Sequence, residues 1–139
     1  MYISLSIFTI YTIYALSINA KSYSDTYYSL KRKVIFIVFT WGISLSLIYA
    51  ITDIKLILAC FGLILVGAAS ATKESKTTKI AHWVGVVIAV IFSQLFIADL
   101  RYTALVVIGC LLSLFTKRPL LWSEFSLFSV LFLKIFYHA

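Results

Sequence analysis

The chain has 139 residues, 63% apolar and 12% charged, with a mean hydropathy of +1.05. Soluble domains run at about 45–50% apolar and about 25% charged, and disordered or fibrous chains are rich in Gly and Pro, which number only 5 and 1 here. That excludes an ordinary soluble domain, and a net charge of +7 carried at the ends of apolar runs fits a chain orienting in a bilayer rather than a nucleic-acid partner.

Charged residues divide the chain into six apolar runs: Met1 to Ala20, Val34 to Thr52, Leu56 to Thr72, Ile80 to Ala98, Tyr102 to Thr116, and Pro119 to His138. A hydrocarbon core about 30 Å thick takes about 20 helical residues. The expected fold class is therefore an all-α integral membrane protein, a single antiparallel bundle of six transmembrane helices with short loops. The third and fifth runs are short, and five spans with one re-entrant segment is the alternative. The first run has no basic segment before it and a poor cleavage site at Ile18-Asn19-Ala20, so it reads as a retained span rather than a signal peptide.

Orientation follows from Lys and Arg. Lys21, Lys31, Arg32 and Lys33 lie in the first loop, Lys73, Lys76 and Lys79 in the third, and Lys117 and Arg118 in the fifth. The other side holds only Lys55, Arg101 and Lys134. The bias puts these three loops in the cytoplasm, touching anionic headgroups, and both termini outside. The outer turns, Asp53-Ile54-Lys55 and Asp99-Leu100-Arg101, match at a spacing of 46 positions. Duplication of a helical hairpin and chance convergence both account for the match.

In lipid, helices associate through small residues. Span four carries Ala81, Gly85, Ala89 and Ser93 at four-residue spacing, span two Gly42, Ser46 and Ala50, span five Gly109 and Ser113, and span three Gly62 and Gly67. Spans two to five are thus expected to form the tight centre, with span four the most enclosed. Spans one and six, rich in Phe, Tyr, Ile and Leu, are expected to face lipid, a second copy or a partner subunit.

Ionisable groups within spans are functional candidates. Glu124 is the one carboxylate clearly inside a run, about 8 Å beyond Pro119 at helical rise. It reads either as a side chain reaching the cytoplasmic interface or pairing with Lys117 or Arg118, or as a proton or cation site. Gln94 reads as an interhelical hydrogen-bond partner. His82 opens span four and His138 closes span six, on opposite sides, so neither a metal nor a cofactor is expected. Cys60 and Cys110 lie in apolar runs and read as small core residues. In the first loop, Ser24 or Asp25 looks like the N-cap of a short interfacial helix over Thr26 to Leu30. The alternative is a loop folded into the cytoplasmic mouth, where Ser24, Asp25 and Tyr28 would meet His82 and Glu124.

The Ser22-x-Ser24-x-Thr26-Tyr27-Tyr28 loop, the Gly67-Ala68-Ala69 run and His82-x-x-Gly85 resemble a set of small polytopic membrane proteins of gut Bacteroidetes and their phages. That resemblance implies a bacterial inner-membrane location and no particular chemistry. A more distant similarity is to heptahelical proteins grouped with ceramidase-like membrane hydrolases, whose zinc is bound by three histidines and an acid. This chain has two histidines. The expected function is that of a non-enzymatic multi-pass protein, either a small transporter or channel-like bundle or an accessory subunit. The alternative is a lipid hydrolase working at the cytoplasmic face.

Overall fold

A computed structural model describes residues 2–26, 34–71 and 75–138 of the chain, and among them there are six α-helices and no strand. They are α1 (Tyr2–Ser17), α2 (Val34–Ala50), α3 (Ile54–Ala71), α4 (Lys76–Ile97), α5 (Leu100–Ser113) and α6 (Pro119–His138). Two segments, Lys76–Ile97 and Pro119–Tyr137, are long and apolar enough to cross a membrane, and the other helices are shorter.

Local chemistry sets the ends. Ser75 caps α4 in a reciprocal box with Thr78, and Pro119 opens α6 at the position where a missing N–H costs nothing. Asp99 accepts from the Arg101 N–H at 2.9 Å, and Asp53 accepts from the Lys55 N–H at 2.8 Å. Each acid satisfies an orphan amide of the following helix, which is a physical reason for two turns to converge on one pattern. The hairpins themselves do not pack alike: α2 lies closely on α3, whereas α4 and α5 barely touch. At the end of α1, Asn19 takes a left-handed φ of 57°. The Ala20 N–H then reaches the Ala15 carbonyl and the Asn19 N–H the Leu16 carbonyl, closing a Schellman motif.

Two kinds of packing hold the bundle. The first is backbone approach. A Cβ on Gly62 would stand 2.7 Å from the Gly85 carbonyl, and one on Gly85 would stand 2.8 Å from the Gly62 carbonyl. Consequently α3 and α4 share the most extensive contact in the molecule, with Gly85, Ala89, Ser93 and Ile97 buried along α4. Gly67 lies against Thr40 and Trp41 of α2, and Trp41 Nε1 donates to the Ile64 carbonyl at 3.1 Å. Gly109 lies against Ser126, and one turn on, Ser113 Oγ meets Ser123 Oγ at 2.7 Å, joining α5 to α6. Gly42 and Ser46 face α1, where Ser46 Oγ lies 2.6 Å from Ser4 Oγ.

The second kind is aromatic filling, and it corrects the expected layout. Phe8 of α1 packs on Phe125, Phe128 and Phe132 of α6, with ring centroids 5.3–5.7 Å apart. Tyr11 stacks on Phe39 of α2 at 3.8 Å. The centre therefore runs through α1, α2 and α6, while α5 buries only Val106 and Ser113. Small residues allow two helices to touch, but large aromatic side chains fill a wider gap with more contact area. For the same reason α4 is not the most enclosed helix. Its small stripe is covered, but its opposite face, with Trp83 at 66% exposure, Val87 and Ile91, is open.

Candidate functional site

The described part of the first loop folds inward. Ala20, Ser22, Tyr23 and Thr26 are buried, with Tyr23 at 3% and Thr26 at 0% exposure. Two hydroxyl chains hold them. Thr26 Oγ1 donates to the Tyr23 carbonyl and so accepts from the Tyr11 phenol. Thr12 Oγ1 donates to the Phe8 carbonyl at 2.8 Å and so accepts from the Tyr23 phenol at 2.7 Å. Burial raises the Tyr23 phenol above its ordinary pKa, and the neighbouring Glu124 carboxylate adds to the shift. Tyr23 is therefore a neutral donor across the physiological range.

The loop is tied to the first turns of α6 by backbone. The Leu121 N–H, an orphan at the third position of α6, donates to the Lys21 carbonyl at 2.9 Å. The Tyr23 N–H donates to Glu124 Oε2 at 2.6 Å. Arg118 reaches back to Asn19 Oδ1 and to the Leu16 carbonyl. That placement corrects one of the readings of Glu124: Arg118 serves the end of α1, and among the described residues the contact that Glu124 makes is with the loop backbone. Glu124 Oε1 has no hydrogen-bond partner among the described residues, yet no unpartnered side-chain oxygen is sealed off there. Glu124 lines a cavity.

That cavity has a volume of about 90 Å³ and lies between α2, α3, α4 and α6, under the loop. Phe36, Phe39, Leu63, Val66, Phe128 and Leu131 supply most of its apolar wall. Tyr23, Ser24 and Glu124 stand at its loop end, and Thr40 and Ser93 also border it. Thr40 Oγ1 turns to the Phe36 and Ile37 carbonyls of its own helix.

The five candidate residues divide as follows. Glu124 and Ser24 share the cavity. Asp25 stays within the loop, where its Oδ2 accepts from the Lys21 N–H at 3.0 Å and its own N–H donates to Ser22 Oγ at 2.9 Å. His82 lies beside the Val66 carbonyl across the α3–α4 seam and stands outside the cavity lining. Tyr28, like most of the expected interfacial helix, lies outside the described residues. Among the described residues, no three His, Cys, Asp or Glu side chains come together in a way that would hold a metal.

Sequence reasoning missed Tyr23 and Tyr11, and it read Thr12 only as bonding back to its own helix, which it does. A signal existed for α1, whose buried residues Ser4, Phe8, Tyr11, Thr12 and Ala15 follow the helical period. Tyr23 had none, because nothing local says that a loop tyrosine turns inward. Comparison with protein-family models, with curated proteins and with solved structures finds no match to this chain.

Proposed function

We propose that this chain is a six-span protein of the bacterial cytoplasmic membrane that binds a small molecule inside the bundle, as a transporter-like device rather than an enzyme. The observation that carries the reading is a carboxylate on an internal cavity of a bundle whose outside is apolar. Val84, Val87, Val90, Ile91 and Leu95 of α4 and Leu105, Val107, Ile108, Leu111 and Leu112 of α5 are all exposed. An unbroken apolar exterior of that extent is costly in water and ordinary in lipid. The four helices of 14–18 residues span if they extend into their turns or the bilayer thins. The Lys and Arg bias supports cytoplasmic first, third and fifth loops and outer termini.

The reading is tested on full-length protein in its own membrane. It should resist extraction at alkaline pH, and a chain released by that wash is not embedded. On a background lacking Cys60 and Cys110, a cysteine at Ile54 should react with an impermeant thiol reagent in intact cells. One at Ser75, at the other end of α3 and about 25 Å away at helical rise, should react only after lysis. Reaction of both from outside overturns the topology.

A further inference from the structure

Resting on that reading, we propose that the Glu124 cavity is a binding site for a small organic ammonium group, one that a methylated amine fills. Three observations define the ligand. First, Glu124 lines the cavity, and among the described residues no cation is paired with its carboxylate, so a cation is the complementary charge. Arg118 is turned away to Asn19 and the Leu16 carbonyl. Second, the wall is mostly apolar, which favours a weakly hydrated organic cation over a metal ion that takes about six or more oxygen ligands. Third, Tyr23, Phe36, Phe39 and Phe128 border the same space. Aromatic rings stabilise alkylated ammonium ions, which shed water far more readily than sodium does.

Size sets the limit. The cavity has a volume of about 90 Å³. The site therefore suits a headgroup or a compact amine.

The experiment uses the full chain in detergent and follows tetramethylammonium binding by titration calorimetry at fixed ionic strength. Sodium and the uncharged tert-butanol serve as comparisons. Tetramethylammonium should bind and the other two should not. Glu124→Gln should weaken binding roughly thirtyfold or more, as loss of one partner of a desolvated charge pair does. Ser93→Leu, which adds bulk to the α4 wall of the cavity, should weaken it as well. Thermal melts in detergent show whether each variant is folded, and wild-type binding needs no variant at all. No tetramethylammonium binding to folded wild-type protein overturns the inference, as does equal binding of tert-butanol or an unaffected, folded Glu124→Gln. Either result leaves the membrane reading standing, because alkaline extraction and cysteine labelling decide that separately.

Discussion

Replacing Gly62 by alanine adds one methyl group, and its effect can be worked from the α3–α4 seam. The new Cβ would stand 2.5 Å from the Ala89 nitrogen, 2.7 Å from the Gly85 oxygen and 2.9 Å from the Ala89 Cα. Comfortable carbon contacts lie at about 3.5–4.0 Å, so the shortfall is about 1 Å. It falls on backbone, which has no rotamer to escape into. The helices must separate, and a gap of about 0.5–1 Å forfeits a quarter to a half of each dispersion contact along the seam. Overpacking costs about 1–3 kcal/mol, against which alanine returns up to about 1 kcal/mol of helix propensity over glycine. Because the clash falls on backbone, the cost belongs to the upper part of that range, about 2–3 kcal/mol, and Gly62→Ala should destabilise the fold by about 1–2 kcal/mol net. Gly42→Ala is the internal control, because its Cβ would meet only the Ile7 Cδ1, at 3.1 Å, a terminal methyl that can turn aside. It should be neutral or slightly stabilising. Reversible unfolding in mixed detergent micelles gives both values on one scale. If Gly62→Ala is as stable as the wild type, or if Gly42→Ala is the worse of the two, the close-approach account of the seam is wrong.

Further expectations concern the ends of helices and the loop. Asn19→Val should cost about 1–3 kcal/mol, because a β-branched residue is strained at φ 57°, while Asn19→Gly should keep the turn and lose only the Arg118 contact; thermal melts in detergent compare them. Asp99→Ala should cost about 1 kcal/mol through loss of the α5 cap, with the loss confirmed by faster amide exchange at Arg101. Thr12→Val removes the acceptor of the buried Tyr23 phenol and should cost about 1–3 kcal/mol, more than an equal-volume change on the exposed face of α1. The raised Tyr23 pKa means that the folded state holds the phenolic proton more tightly than the unfolded state. Stability should be complete below about pH 10, the unfolded tyrosine value, and should decline above it as the pH approaches the folded value. Tyr23→Phe should lessen that alkaline loss in a pH series of melts, and an unchanged slope would show that Tyr23 does not contribute.

Composition and charged punctuation alone made the helical class and the apolar runs legible, because both are local patterns; the caps went unread, although they too act through neighbours in sequence. Pro119, Ser75, Asp53 and Asp99 each work within three residues of the helix they start. The small-residue stripes were legible for the same reason, and Gly62, Gly85 and Ala89 do lie on one seam. The tertiary structure decided which helices form the centre. That depends on how Phe8, Tyr11, Phe39 and Phe128 share one space across separations in sequence of up to 120 residues, and no local pattern encodes such a meeting. The candidate site divides along the same line. Glu124 was legible as a carboxylate out of place in an apolar run. Its partner, the Tyr23 amide 101 positions away, was fixed only when the loop turned inward to bury its hydroxyls against α1 and its backbone against α6.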